Sequence, residues 1–187
     1  MEETRSIMFT IHSWHVLGPV FVLGLLWLVR WVARQERKVS IPQLAVLSSF
    51  GIYLLCVIHL VFFPIDVNIG LYANQTPWYK TINFIPILTI DVTTFLLNII
   101  MLIPFGMYIP FLNKNVVSMK KVAKLGLMMS LSLEILQLFI RVTLGSGRST
   151  DINDMLANTT GAVIGFLLVK VSLKSSPLKN MLRSFQL

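Results

Sequence analysis

Apolar residues dominate this chain in long runs, and three of these runs contain no Asp, Glu, Lys or Arg. They cover residues 6–29, 39–65 and 92–113. Each run is longer than the roughly 20 residues that a helix needs to cross a hydrocarbon core of about 30 Å. Composition agrees with this pattern, because 55% of the residues are hydrophobic and only 13% are charged, too few to cover a soluble domain. The chain is therefore predicted to be a membrane protein.

Two further apolar stretches carry isolated charges. Glu134 lies within the first of them, and Lys170 lies near the end of the second, where its ammonium group can extend towards the membrane surface. The sequence therefore predicts an all-α, polytopic helical membrane protein in which residues 1–187 form a single membrane domain. The five predicted spans are 11–32, 44–63, 92–112, 122–141 and 155–173.

The segment between the second and third spans is the longest part of the chain outside the predicted helices. It contains Trp78 and Tyr79, and these aromatic residues are typical of the boundary between membrane and water. Pro77 and Pro86 would divide it into short helical or extended pieces. We expect an amphipathic segment that lies on the outer leaflet or dips partly into it.

Basic residues indicate the orientation of the spans. Most of the 16 Lys and Arg follow the first predicted span, precede the fourth or follow the fifth. Because basic residues near span ends are retained in the cytoplasm, we expect the N-terminus outside and the C-terminus in the cytoplasm. The net charge of +8 is then explained by cytoplasmic flanks that face anionic lipid. No nucleic-acid-binding motif accompanies the basic residues, so no nucleic-acid partner is predicted.

Polar side chains with the helical spacing i, i+3, i+7 form one stripe on the fourth span and another at the start of the fifth. The two stripes are Glu134, Gln137 and Arg141, and Asp151, Asp154 and Asn158. Both should face protein, because charged groups are costly in hydrocarbon. A helix rises about 1.5 Å per residue, so Glu134 should lie roughly 10 Å below Arg141 in the membrane. Asn98 should lie at a similar depth, roughly 9 Å below the start of the third helix at Val92. We therefore expect a buried polar pocket, open to the outside.

The predicted pocket has a floor and a mouth. Its buried residues are Asn98, Glu134, Gln137 and Asn158, and the residues at its mouth are Arg141, Arg148, Asp151 and Asp154. Below it, Gly161 and Gly165 form a pair of small residues that lets helices approach closely. Pro104 frees the carbonyl of Ile100 and should bend the third helix near the pocket floor.

Two other interpretations of the charged residues remain open. Glu134 could form a structural ion pair with Arg141 or Arg148 and have no further role. The carboxylates could instead recruit a divalent cation, although no metal ligands are assigned because nothing in the sequence fixes their geometry.

Four motifs resemble the VanZ-like family of bacterial integral membrane proteins. They are NFIP at 83–86, NIIMLIPFG at 98–106, EILQ at 134–137 and GRSTDINDMLANTTGAVIG at 147–165. They occur in one order and cover most of residues 83–168. The resemblance implies a compact helical protein of the bacterial cytoplasmic membrane, from a family whose founding member is linked to low-level resistance to teicoplanin-type glycopeptide antibiotics. In this chain Ile87 stands where the family pattern has Phe, which should alter packing more than chemistry.

The resemblance also implies a set of site residues. The characteristic polar residues would be Asn83, Asn98, Glu134, Gln137, Arg148, Asp151, Asp154 and Asn158, and Pro104, Phe105 and Gly106 would shape the third helix.

Three classes of function fit these observations. The first is binding or handling of a cell-envelope component, such as a membrane lipid or a lipid-linked cell-wall precursor. The second is a membrane-embedded hydrolase or transferase that acts on a lipid-linked phosphate. Glu134 would be its general base, and Arg141 and Arg148 would bind the phosphate. The third is a transporter or structural scaffold, and the lack of an inverted repeat disfavours transport by a monomer. The sequence indicates no oligomeric state.

Overall fold

The structure is a computed structural model that describes residues 6–35, 39–73, 76–113, 118–174 and 185. Its helices are α1 Ser13–Arg34, α2 Ile41–Phe62, α3 Val92–Leu112, α4 Met119–Leu144 and α5 Ile152–Ser172. All five helices in this described part are long and apolar enough to cross a membrane, which confirms the prediction of an all-α, polytopic membrane protein. Several basic residues used to predict the orientation lie outside the described residues: Arg37, Lys38, Lys114, Lys179 and Arg183.

Polar side chains and one glycine set the helix ends. Ser40 and Gln43 form a reciprocal capping box at the start of α2, and the carboxylate of Asp91 caps α3 by accepting from the Thr93 N–H. Gly145 ends α4 with a left-handed φ of 68°, a conformation that suits glycine. Helix α4 extends beyond the predicted span 122–141 at both ends, and Gly145 stops it at the C-terminal end.

Two short sheets lie at the end of the bundle where α1, α3 and α5 begin and α2 and α4 end, here called the loop end. Strand β1, Ile7–Ile11, pairs antiparallel with β2, Ile65–Ile69. Strand β3, Ile82–Asn83, pairs parallel with β4, Thr150–Asp151. The apolar residues of β1 extend the first charge-free run, but they form a strand because β2 offers them a backbone partner. The segment between β2 and β3 contains two short 3-10 helices.

Helices α3 and α5 form the most extensive helix contact in the described bundle. Glycines make this possible, because a Cβ at Gly161 would overlap the carbonyl of Ile99, and one at Gly106 would overlap the carbonyl of Ala162. Gly165 lies equally close to the backbone of α3. In contrast, α1 has no buried residue, so most of its surface faces away from the rest of the described bundle.

Tyr53 of α2 supports α3 beside Pro104. Its hydroxyl donates to the carbonyl of Met101 at 2.9 Å and accepts from the backbone N–H of Phe105. These two backbone groups are the pair that bond to each other in a regular helix. A proline in a helix weakens the ladder of hydrogen bonds around it, and the Tyr53 hydroxyl binds α3 one residue after Ile100, whose carbonyl loses its partner to Pro104.

Candidate functional site

Asn83 connects the segment before α3 to the start of α5. Its amide nitrogen donates to Thr89 Oγ1 at 2.6 Å and to Asp151 Oδ2 at 3.0 Å. Its amide oxygen accepts from the Ile85 N–H at 3.1 Å. The side chain therefore fixes the turn that follows β3 and holds this turn against the cap of α5.

Asn153 holds the same turn from the other side. Its amide oxygen accepts from the Ile87 N–H at 2.8 Å, and its amide nitrogen donates to the Ile85 carbonyl at 3.3 Å and to Thr89 Oγ1 at 3.2 Å. Ile87 has a φ of 69°, which is unfavourable for a β-branched residue. Its side chain is 70% exposed, so the departure from the family pattern at this position changes the surface.

Asn153 is not among the site residues that the sequence pattern predicts. Asn153 stands two residues after Asp151, so it falls off the stripe with i, i+3, i+7 spacing. It is nevertheless 3% exposed, and it lies within a motif and directly after the first residue of α5. The signal that could have identified Asn153 as a site residue is its amide side chain in the first turn of α5, two residues after the capping Asp151.

Three carboxylates gather where the start of α5 packs against the second half of α4. Glu134 is 4% exposed, and its Oε2 accepts from the backbone N–H of Asp151 at 3.2 Å. The carboxylates of Asp151 and Asp154 are close enough to interact with it electrostatically, and Asp154 accepts a hydrogen bond from the Asn98 side chain. Within the described ranges, no three His, Cys, Asp or Glu side chains are grouped as ligands for a metal ion. Through the bonds of Glu134 to Asp151 and of Asn98 to Asp154, the three carboxylates connect α3, α4 and α5.

The other predicted polar residues lie apart from this cluster. Asn158 lies one turn below Asp154 and donates to Ser130 Oγ at 2.9 Å, while its own Oδ1 is enclosed without a hydrogen bond. Gln137 donates to the Val61 carbonyl at 3.2 Å and so connects α4 to the end of α2. The structure thus distributes the predicted pocket residues over several separate contacts.

The two arginines bind backbone carbonyls at the loop end. Arg141 is 7% exposed, and its Nη1 donates to the carbonyls of Ser146 at 3.2 Å and Arg148 at 2.8 Å. Arg148 Nη2 donates to the Phe63 carbonyl at 3.2 Å. Neither guanidinium contacts Glu134 in the part of the chain that the structure describes, so the alternative of a structural ion pair is not observed there.

A cleft of about 330 Å³ lies beside Arg141. Trp78 forms part of one wall, and Thr143 and Gly145 at the end of α4 form part of another. Asn68 of β2 also lines the cleft and donates to the Gly145 carbonyl at 3.4 Å. Among the described residues that line the cleft, Arg141 is the one that belongs to the predicted ligand-binding set. The cleft thus combines an aromatic ring, an amide and a guanidinium group.

Comparisons with known proteins agree with the motifs that contribute these residues. The family model described as VanZ/LLP1 matches residues 50–173. The chain is 30% identical over 131 residues to Protein VanZ of Enterococcus faecium, and the alignment covers 66% of this chain and 73% of that protein. No solved structure matches. The helical membrane architecture and these two matches show that the chain belongs to the VanZ/LLP1 family of membrane proteins.

Proposed function

We propose that this protein binds the polar part of a cell-envelope component at the loop end of its helical bundle and thereby lowers sensitivity to teicoplanin-type glycopeptides. The cleft beside Arg141 is the observation that carries this proposal. It is an open cleft whose walls combine apolar, aromatic and polar groups, and such groups also line the sites that bind small ligands. The component is a membrane lipid or a lipid-linked cell-wall precursor.

The charge distribution supports a loop end that faces the outer side of the cytoplasmic membrane in this proposal. The described basic residues near the opposite end include Arg34 at the end of α1, Lys120 at the start of α4 and Lys174 after α5. Because such residues are retained in the cytoplasm, the cleft faces the outer leaflet in this proposal. Cell-wall precursors and glycopeptide antibiotics meet at that surface.

The contacts of Glu134 favour binding over catalysis. Glu134 is buried, and its carboxylate already accepts from the Asp151 N–H. It lies two turns of α4 from Arg141, which is roughly 10 Å along the helix axis. A general base must come within hydrogen-bond reach of the proton that it removes, and a ligand in the Arg141 cleft does not meet that condition. Glu134 therefore supports the architecture of the site.

Drug sensitivity in a susceptible Gram-positive host tests this function. Teicoplanin carries an acyl chain that partitions into the membrane, and vancomycin lacks one, so expression of the chain should lower sensitivity to teicoplanin more than sensitivity to vancomycin. Trp78→Ala should remove this difference, because Trp78 lines the cleft. Tyr79→Ala is the matched control, since Tyr79 is the neighbouring exposed aromatic residue and does not line the cleft.

Membrane abundance of each variant is measured by immunoblot in the same cells. Loss of protection with Trp78→Ala, but not with Tyr79→Ala, at equal abundance supports the proposal. Equal protection by both variants would mean that the cleft does not take part.

A further inference from the structure

Arg141 is a buried cation that has no carboxylate partner among the described residues. The side chain is 7% exposed, and its recorded contacts are the carbonyls of Ser146 and Arg148. Among the described residues that line the cleft, Arg141 is the only charged one. Burial of an unpaired charge is costly, and a neutral carbonyl only partly offsets that cost. The cleft therefore favours a ligand that brings a negative charge.

The guanidinium group also has free donors. Nη1 makes both recorded hydrogen bonds, which leaves the N–H groups of Nε and Nη2. Within the described ranges, the fully enclosed side-chain atoms that lack a hydrogen bond are Asn158 Oδ1 and Thr159 Oγ1, so Nε and Nη2 of Arg141 are not among the fully enclosed unpaired atoms. These two atoms form the edge of an arginine that binds two oxygens of a phosphate or carboxylate at once. The loop carbonyls hold that edge in place.

The dimensions and position of the cleft indicate the size of the ligand. Its volume of about 330 Å³ lies at the lower end of the range for ligand pockets, roughly 300 to 1,000 Å³, and the indole of Trp78 forms part of its wall. Trp side chains prefer the level of lipid head groups. The anionic group that lipids present at this level is the phosphate.

We propose that the cleft beside Arg141 binds the phosphate of a membrane-lipid head group, with Nε and Nη2 of Arg141 as its donors. This inference rests on the proposed function, because it identifies the ligand of the same cleft. Asn68 and Trp78 lie beside the phosphate and contact the rest of the head group.

Binding to the purified full-length chain in a neutral detergent tests the proposal. The probes are short-chain phosphatidic acid and the diacylglycerol with the same acyl chains, which differ by the phosphate alone, and binding is measured by native mass spectrometry and calorimetry. Inorganic phosphate, with chloride as its control, competes in a separate arm. We expect phosphatidic acid to bind at least about tenfold more tightly than diacylglycerol, as hydrogen bonds to charged groups imply.

Two matched variants at Thr143 keep Arg141 and its loop contacts intact. Thr143 is an exposed residue that lines the cleft, and among the described residues its hydroxyl donates to the Phe139 carbonyl of its own helix. Thr143→Glu should weaken phosphatidic acid binding at least about tenfold relative to Thr143→Gln, because a carboxylate in the cleft competes for Arg141. Arg141→Gln should have the same effect if the variant folds.

The outcomes separate the possible sources of phosphate. Competition by inorganic phosphate but not by chloride supports phosphate recognition, whereas binding of inorganic phosphate without any lipid binding overturns the assignment to a lipid. Equal affinity for phosphatidic acid and diacylglycerol, or equal affinity of the two Thr143 variants, overturns the proposal. Phosphatidic acid binding in a chain that gives no drug protection would contradict the proposed function but not this inference.

Discussion

Two asparagine side chains fix the exposed turn before α3. Asn83 and Asn153 each use their amide as donor and acceptor at once, which a carboxylate cannot do because it only accepts. The turn between them exposes Phe84 and Leu88, at 70% and 88%, so it has little apolar packing of its own. Its conformation therefore depends on these amide contacts.

Glu134 gives a prediction at the scale of one residue. Glu134→Gln keeps an oxygen that accepts from the Asp151 N–H and replaces the carboxyl group beside Asp151 and Asp154 with an amide that cannot ionise. We expect this variant to reach normal membrane abundance and to melt at the same temperature as the parent or higher. Glu134→Ala leaves the Asp151 N–H without its partner and should lower the free energy of unfolding by about 1–3 kcal/mol. Thermal melting of the purified proteins measures both effects.

Drug sensitivity of the same two variants separates binding from catalysis. If Glu134 only supports the site, Glu134→Gln protects as well as the parent. A complete loss of protection by Glu134→Gln at normal abundance would instead identify a carboxylate that reacts, and would favour the hydrolase or transferase alternative.

Helical elements could be predicted more fully than the contacts between them. Apolar runs of membrane length place all the spans, because the bilayer imposes a minimum length on each helix. Helical spacing also selects inward-facing residues such as Glu134 and Asn158, both buried. Spacing does not identify the partner that a side chain reaches, so the bonds from Gln137 to Val61 and from Arg141 to the loop carbonyls could not be predicted. The pairing of β1 with β2 joins distant parts of the chain, and no local pattern encodes it.

The contact of α3 with α5 gives a prediction at the scale of elements. Gly161→Ala should lower the melting temperature, because the added methyl group overlaps the carbonyl of Ile99 on α3, and Gly161→Leu should lower it further or deplete the protein. Gly51→Ala in α2 is the control, since an added Cβ there meets nothing within 4 Å. Its effect should be neutral or slightly stabilising, as expected from helix propensity. Equal melting temperatures for Gly161→Ala and Gly51→Ala would show that α3 and α5 are not in close contact.

Orientation belongs to the whole molecule, and cysteine labelling in intact cells tests it. Cys56 is first replaced by alanine. A cysteine at exposed Thr76, on the loop end, should then react with an impermeant reagent, whereas cysteines at exposed Lys120 and Lys174 should not. A cysteine at Ser146, also on the loop end, would be a poor labelling site because Ser146 is 3% exposed. Labelling at the two lysine positions alone would reverse the orientation and place the cleft in the cytoplasm.

Helix α1 has a distinctive position in this molecule. It has no buried residue, and the family match begins at residue 50, inside α2. The bilayer therefore constrains its composition, while neighbouring side chains constrain its individual residues very little. Over evolutionary time, one apolar residue in α1 can replace another without compensating changes elsewhere. The glycines between α3 and α5 cannot be replaced so freely, because a Cβ at these positions would overlap the backbone of the facing helix. We expect divergent relatives to share the second half of this chain and to differ most in their first helix.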